Sequence, residues 1–171
     1  MHKFFRSSLW IPLIAFVVVA PSNSQGEQNS SVPLLRLVGA DGGERSVTQE
    51  DWAKLPRAVV KAVDHGGATA TFEGVPAREL LNLVSVPFGP DLRGQQLALY
   101  VVAEAADGYK VVYALPEFDP GFTDGVILIA DRKDGEALPP KEGPVRVVVP
   151  WEKRQARWVR QLTGLRVGRA Q

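Results

Sequence analysis

The chain is poor in the residues that carry sulfur and imidazole chemistry. Its 171 residues include no cysteine, one methionine (Met1) and two histidines (His2 and His65). Without a thiol the polypeptide forms no disulfide bond, supplies no cysteine nucleophile and builds no zinc site of the Cys/His type. The sequence also has no G-x-S-x-G motif, so a serine triad around His65 would lack its nucleophile elbow. Thiol and soft-metal chemistry is therefore excluded unless a partner supplies the ligands.

The first residues have the pattern of an export signal. Lys3 and Arg6 precede an almost wholly apolar run over residues 9–20, which is short for a membrane span and is followed by polar residues. Small residues favour cleavage after Ser24, and the alternative is an uncleaved N-terminal anchor. No twin arginine precedes the apolar run, which points to a Sec-type signal peptide and a periplasmic location.

This pattern predicts a simple organisation of the chain. We expect a signal peptide over residues 1–24, a flexible tail over residues 25–33 and a single domain over residues 34–168.

Charge gives no argument for nucleic-acid binding. The chain has 20 basic and 19 acidic residues, a formal net charge of +1. Loss of Lys3 and Arg6 with the signal peptide would leave 18 basic against 19 acidic residues, a net charge of −1. A near-neutral chain of mixed charge does not attract nucleic acid as a whole. We therefore expect no nucleic-acid partner, and contact with a membrane only if the signal peptide is not cleaved.

Hydrophobic periodicity predicts seven or eight short strands and two short helices, without an internal repeat. Such a mixture is typical of an α+β fold with a mixed, mostly antiparallel sheet or a small barrel. Thr48 is the expected N-cap of the first helix. The expected strands are residues 34–38, 57–64, 68–72, 97–105, 109–114, 126–130, 145–149 and 162–167; the expected helices are 48–55 and 77–86, with one turn of helix or a loop over 116–122.

A cationic turn near the C-terminus is the strongest candidate for a site. An apolar strand ends at Pro150, and the following segment, residues 151–160 (WEKRQARWVR), holds four basic residues and one acid. Its guanidinium groups could bind an anion through bidentate contacts. The turn could equally be a solvated connection in which arginine stems lie on tryptophan faces. Trp151 and Trp158 leave the same choice between stacking on a flat ligand and packing.

Five short motifs follow one another in a recognisable order. Together they resemble the sulfite-oxidase-type molybdopterin-binding domain, over roughly residues 34–167. The motifs are FEGVP at residues 72–76, ADGY at 106–109, IADRKDGEAL at 129–138, GPVRVVVP at 143–150 and ARWVR at 156–160. The resemblance implies the mixed, mostly antiparallel fold of that family, and it makes molybdopterin a possible ligand.

The resemblance also indicates which residues would hold a ligand. In the family, the segment that matches residues 156–160 helps to bind the phosphate of the cofactor, which implies an anion-binding role for Arg157 and Arg160 and a weaker one for Arg154. His65 lies in the stretch where relatives carry their metal ligand, and Tyr109 lies in a turn that shapes the mouth of the cofactor site. The alternatives are an exposed turn histidine at 65 and a tyrosine packed across its hairpin at 109.

Three departures from the family set the functional prediction. Catalytic members hold molybdenum through a cysteine upstream of the G-V-P motif, and residues 60–67 of this chain contain none. Those members also typically carry a twin-arginine signal, which is absent here. Glycine and lysine of the family's phosphate-binding motif are replaced by Gln155 and Arg160.

We therefore predict a non-redox module that binds an anionic small molecule or a periplasmic protein partner, with no catalytic residue, no metal ligand and no cofactor. Two alternatives stay open, which leaves enzyme activity undecided. One is a molybdopterin-dependent oxidoreductase whose metal is held without a protein thiolate. The other is an accessory subunit of a periplasmic redox or sensory system.

Overall fold

The computed structural model describes residues 32–171, so the predicted signal peptide and nearly all of the predicted tail lie outside the described residues. Within 32–171 there are ten strands, two α-helices and five short 3-10 helices. The α-helices are α1 (Gln49–Lys54) and α2 (Ala77–Leu81). The strands are β1 (Leu35–Val38), β2 (Glu44–Val47), β3 (Ala58–Val63), β4 (Thr69–Pro76), β5 (Leu99–Ala105), β6 (Lys110–Ala114), β7 (Leu128–Lys133), β8 (Glu136–Ala137), β9 (Arg146–Val148) and β10 (Leu162–Arg169). The 3-10 helices are Asn82–Val84, Gly89–Asp91, Gly94–Ala98, Leu115–Phe118 and Gln155–Arg157.

The described strands form two open sheets. The first has the order β2-β1-β10-β5-β6, and the second has the order β3-β4-β7-β8 with β9 also paired to β7. All strand pairs recorded for these residues are antiparallel except β1 with β10. The prediction of an α+β fold with a mixed, mostly antiparallel sheet is confirmed, and the sheets do not close into a barrel.

The two sheets share one hydrophobic core. Alternate residues of β5 are buried, as expected for a strand with one face toward a core. Helix α1 adds Trp52, which is 1% exposed, and its N-terminus carries the predicted cap: Thr48 and Asp51 exchange side-chain to backbone hydrogen bonds. The indole of Trp52 donates to Asp131 on β7 at 2.9 Å, which fastens the helix to the second sheet.

The second helix is shorter than the sequence pattern suggests. Helix α2 ends at Leu81, and one 3-10 turn continues it to Val84. Ser85 then adopts a left-handed conformation with φ of 54°. Pro87 disfavours helical geometry at Val86, so the helix does not resume after Ser85.

Two strands were not expected from the sequence. β2 and β8 are polar and largely exposed, and only Val47 of the two is buried. The periodicity of hydrophobic residues cannot reveal such strands, since they form by backbone pairing with β1 and β7 as edge strands of their sheets. No helix in residues 32–171 is both long enough and apolar enough to span a membrane.

Candidate functional site

A cavity of about 330 Å³ lies where four separate parts of the chain meet. These are the turn between β3 and β4, the turn between β5 and β6, the loop between β8 and β9, and the segment between β9 and β10. Six of its lining residues carry the argument below: His65, Asp107, Tyr109, Lys141, Trp158 and Arg160. Three of them, His65, Tyr109 and Arg160, are residues that the resemblance placed at the ligand site. The fold therefore brings these three predicted residues together around one space.

Glycine-containing turns place two of the lining residues. His65 is exposed and precedes Gly66 and Gly67, which have φ of 146° and 81°, values that a residue with a side chain rarely adopts. Tyr109 follows Gly108, whose φ is 86°, and the Tyr109 amide donates to Asp107 Oδ1 at 2.9 Å. Both turns are consequently fixed by backbone geometry that the sequence encodes locally.

The phenol of Tyr109 bridges the hairpin to the cationic turn. Its hydroxyl donates to the carbonyl oxygen of Ala156 at 2.8 Å, although the residue remains 50% exposed. Tyr109 is thus neither packed across its own hairpin nor free in solvent. Its hydroxyl hydrogen is already used, so the hydroxyl can offer a ligand only its acceptor lone pairs.

The cavity has an excess of positive charge. Lys141 and Arg160 are exposed and form no ion pair with any residue of 32–171. Asp107 is the one carboxylate among the residues that line the cavity. Two permanent cations therefore face one anion, and His65 adds a third positive charge when it is protonated. An anionic group is the ligand that this arrangement attracts.

Arg157 lies outside this cavity lining, in a half-buried cluster of its own. Its Nη2 is 2.8 Å from Glu117 Oε2 and its Nη1 is 3.1 Å from Glu152 Oε1. The centre of its guanidinium stands 4.3 Å from the ring centroid of Tyr113, whose hydroxyl donates to the Arg157 carbonyl oxygen. Both ends of the guanidinium are thus already held by carboxylates.

Burial and charge shift the pKa values in this cluster. Burial raises the pKa of Glu152, an effect that the Arg157 charge opposes and the Glu117 charge reinforces. Burial also lowers the pKa of Arg157, but the hydrogen bond and charge of Glu117 and the charge of Glu152 outweigh it, so the net shift is upward. Burial raises the pKa of Tyr113. Glu152 Oε2 and the indole nitrogen of Trp158 face this region without a well-aligned hydrogen-bond partner among the described residues.

A buried arginine that sequence reasoning did not single out stands behind the cavity. Arg146 on β9 is 0% exposed, and its guanidinium lies 5.4 Å from the Phe72 ring centroid and 5.5 Å from the Trp158 ring centroid. It pairs with Glu142, and its Nη2 is 3.6 Å from Asp64 Oδ1. The signal in the sequence is a charged residue inside an otherwise apolar strand, GPVRVVVP, which requires a buried partner.

Asp64 connects this buried pair to the turn that carries His65. Burial raises the pKa of Asp64, but the hydrogen bond from Lys133 at 2.5 Å, with the His65 amide and the charge of Arg146, brings it below its usual value. His65 therefore follows a carboxylate that is anchored to the protein interior.

The remaining candidates of the cationic turn divide between surface and core. Arg154 is exposed, does not line the cavity, and forms no ion pair with a residue of 32–171. Trp158 is 3% exposed and packs edge-on against Phe72 at 5.9 Å. Trp151 is 46% exposed and lies over Gly125, where an added Cβ would be 2.3 Å from its ring. Lys141 was not predicted, because only the folded chain brings residue 141 to the cationic turn.

Comparisons with known proteins support one family assignment. The family model described as "Oxidoreductase molybdopterin binding domain" matches residues 42–171. The chain is also similar to a crystal structure of the sulfane dehydrogenase SoxCD from Paracoccus pantotrophus, with a TM-score of 0.59 and 21% sequence identity. That similarity covers 78% of this chain and 37% of the other, so this chain corresponds to little more than a third of that neighbour. A comparison with curated proteins gave no match.

Proposed function

We propose that this chain, which belongs to the oxidoreductase molybdopterin-binding domain family, is a non-redox member that binds an anionic small molecule. The proposed site is the cavity lined by His65, Tyr109, Lys141 and Arg160. The single observation that carries the proposal is the pair of cations there, Lys141 and Arg160, which no carboxylate of residues 32–171 neutralises through an ion pair.

The donor set does not fit a molybdenum centre that is anchored by the polypeptide. The chain has no cysteine, and residues 32–171 contain no group of three or more His, Asp or Glu side chains that could hold a metal ion. Arg157, which the resemblance assigns to the cofactor's phosphate, faces Glu117 and Glu152 instead. A pterin phosphate would have to be held by the cations of the cavity.

Elemental analysis separates this proposal from a molybdopterin-dependent enzyme. The protein would be purified from a host that makes the molybdenum cofactor, and its metal content would be measured per chain. We expect molybdenum and tungsten far below one atom per chain. A stoichiometric metal content would contradict the proposal and favour an oxidoreductase whose metal is held by the cofactor alone.

The size and the free donors of the cavity favour a small ligand. About 330 Å³ lies at the lower end of the range for small-molecule sites. The Tyr109 hydroxyl donates to Ala156, Gln155 Nε2 donates to the Val63 carbonyl at 2.7 Å, and Gln161 Nε2 donates to the Pro140 carbonyl at 2.9 Å. The ammonium and guanidinium groups are therefore the main side-chain donors left for a ligand, and both favour carboxylates, phosphates or sulfates.

Calorimetric titration with inorganic phosphate and pyrophosphate tests the site. Arg160→Gln should weaken binding by about tenfold or more, since a hydrogen bond to a charged group is worth about 1.5–3 kcal/mol. Arg154→Gln is the matched control, because it removes an exposed arginine of the same turn that does not line the cavity. It should change the dissociation constant by less than about twofold.

Two results would reject the anion site. One is an equal effect of Arg160→Gln and Arg154→Gln, which would show that the ions bind only to diffuse surface charge. The other is no binding of either anion up to about 10 mM at low salt, confirmed by the absence of amide shift changes in an NMR titration.

A protein partner is the second candidate function, and exposed aromatic residues favour it. Phe122 is 53% exposed, Trp151 is 46% exposed and Val126 is 40% exposed. Trp151 lies on Gly125, so these side chains belong to neighbouring loops. Large aromatic residues are enriched at the centres of protein interfaces. Loss of a co-purifying partner from a Phe122→Ser/Trp151→Ser variant, with anion binding retained, would support this function.

We also propose that the chain is exported to the periplasm by a Sec-type signal peptide. The basis is the charged start, the apolar run and the small residues before position 25. Expression of the full chain, followed by mass spectrometry of the periplasmic fraction, should give a mature N-terminus at Gln25. Retention in the membrane fraction with residues 1–24 intact would favour the uncleaved anchor.

A further inference from the structure

We infer that Glu117 and Glu152 act as built-in anions that close Arg157 to external phosphate. Family resemblance alone would give Arg157 the phosphate. The contacts around Arg157 argue for the opposite, since the chain supplies its own carboxylates at that position. The inference concerns Arg157 only, and it does not depend on ligand binding in the cavity.

The nitrogen atoms of the Arg157 guanidinium are paired or buried, although 38% of the side chain is exposed. Nη2 and Nη1 approach Glu117 at 2.8 Å and Glu152 at 3.1 Å, and one face of the group lies 4.3 Å from the Tyr113 ring centroid. The remaining nitrogen, Nε, is buried and has no hydrogen-bond partner within residues 32–171. An incoming phosphate would have to displace a carboxylate before it could form the bidentate contact that arginine favours.

Hydrogen bonds hold the Glu117 carboxylate and the backbone at Glu152 and Arg157. Glu117 lies in the 3-10 helix Leu115–Phe118, and its Oε1 accepts a hydrogen bond from the Ala114 amide at 2.7 Å. Glu152 follows the end of the strand run at Pro150, and its amide donates to the Val149 carbonyl at 3.1 Å. The Arg157 carbonyl accepts from Tyr113. The Glu117 carboxylate therefore cannot leave Arg157 without strain on its bond to Ala114, and the Glu152 side chain starts from a fixed backbone beside Arg157.

Local charge reinforces the exclusion. Two ionised carboxylates around one guanidinium give the cluster a net charge of −1, which repels a phosphate. The cavity has the opposite balance, with Lys141 and Arg160 against Asp107. The same protein surface therefore offers one arginine that is closed to anions and another, Arg160, that is open. Glu117 and Glu152 are the groups that make this difference.

Removal of both charges should open a second phosphate site. Calorimetry with inorganic phosphate would compare wild type with Glu117→Gln/Glu152→Gln, which preserves side-chain shape. We expect the double variant to gain one phosphate-binding event that is absent from wild type. The new event should disappear when Arg157→Gln is added and should survive when Arg160→Gln is added.

Glu50→Gln/Glu44→Gln serves as the matched control. Both acids are exposed and each pairs with one basic residue, so this variant removes two charges without uncovering Arg157. A gain of phosphate binding in this control as well as in the test variant would overturn the inference, because it would reduce the effect to net charge. So would an unchanged titration of the folded test variant, or a new event that survives Arg157→Gln.

Wild-type protein supplies a test that does not require the double variant to fold. Because the carboxylates already occupy Arg157, Arg157→Gln alone should change the dissociation constant for phosphate by less than about twofold. If the dissociation constant rises tenfold or more, Arg157 contacts the ligand and the inference is wrong. Failure of the cavity proposal has a different signature, since wild type would then bind no phosphate while the double variant still gained its Arg157-dependent event.

Discussion

At the scale of single residues, the energetics of Glu152 depend on its burial more than on its partner. Its carboxylate is close to Arg157, yet burial and the second carboxylate of Glu117 raise its pKa, so the folded protein favours the protonated form more than the unfolded chain does. This group therefore stabilises the fold fully below its unfolded pKa, and that contribution is lost as the pH rises through its folded pKa. An acid whose pKa is lowered by a paired arginine would show the opposite pH dependence, because its contribution to stability is lost as the pH falls.

This sign predicts how Glu152→Gln will behave. Glutamine is permanently neutral, so the variant should lack the loss of stability that wild type shows for this group as the pH rises above its usual value of 4.5. The free energy of unfolding of the variant minus that of wild type should be more positive at pH 7 than at pH 4.5, which means that the variant gains relative stability as the pH rises. Urea unfolding at both pH values measures it.

Glu50→Gln is the control for that measurement. Glu50 is exposed and pairs with Lys54 one helical turn away, so its removal deletes an acid without changing a buried carboxylate. A pH dependence that shifts equally in Glu50→Gln and Glu152→Gln would show that the burial of Glu152 does not govern its titration.

At the scale of elements, strand β4 shows what a short motif can and cannot tell. Gly74 belongs to the FEGVP motif. The strand register places it opposite Ala130 on β7, where the pairing shifts between Glu73 and Gly74. A Cβ on Gly74 would lie 2.0 Å from the Ile129 carbonyl oxygen and 2.6 Å from the Ala130 Cα. The motif therefore requires a glycine at position 74, because the backbones of β4 and β7 approach too closely there for a side chain.

Gly74→Ala should therefore destabilise the fold. The obstacle is backbone on both sides, so β4 and β7 must separate, and we expect a loss of at least about 2 kcal/mol in the free energy of unfolding. Gly125→Ala is the matched comparison, because the atoms that its Cβ would meet belong to the half-exposed side chain of Trp151, which can move away. Equal losses in the two variants would contradict this account.

The elements also mark the limit of prediction from sequence. The pattern located the eight strands that bury apolar side chains and the capped helix α1, because periodicity and capping are local properties. It missed β2 and β8, which are largely polar and exposed and whose strand character comes from pairing. It also extended α2 to residue 86, although the α-helix ends at Leu81 and its 3-10 continuation ends before the left-handed Ser85.

At the scale of the whole molecule, the site shows the same division. Neighbouring glycines indicated that His65 and Tyr109 lie in turns, and the resemblance implied an anion-binding role for Arg160. The fold brings all three residues to one cavity. The pairing of Arg157 with Glu117 and the arrival of Lys141 at the cavity were not predictable, because both bring together residues that are distant in the chain; Glu117 is 40 residues from Arg157. Contacts over that separation depend on how two sheets pack, and hydrophobic periodicity carries no information about them.

Arg146 is the clearest whole-molecule contact, since it joins parts that are distant in the chain. From β9 it reaches Glu142 and Asp64, and its guanidinium lies near the rings of Phe72 on β4 and Trp158 at the cavity. Its Nε and Nη2 atoms have no hydrogen-bond partner among the described residues, so the pairing is incomplete in a fully buried place. Such a charge stabilises a structure only through the partners that neutralise it.

Arg146→Met should consequently be among the most damaging single changes in the second sheet. Removal of one member of a buried ion pair leaves the other uncompensated, and we expect a loss of about 3–5 kcal/mol in the free energy of unfolding. Arg132→Met on β7, an exposed arginine that donates to the Gly135 carbonyl, should change it by no more than about 0.5 kcal/mol.

The double variant Arg146→Met/Glu142→Gln decides whether charge or volume is responsible. If the loss comes from the unpaired Glu142 carboxylate, neutralising that group should recover at least about 1 kcal/mol relative to Arg146→Met alone. A double variant as unstable as the single one would assign the loss to packing between Phe72 and Trp158 instead. Urea unfolding of wild type, the single variants Arg146→Met and Glu142→Gln and the double variant at one pH completes the cycle, and it separates the electrostatic from the steric part of the contact between Arg146 and Glu142.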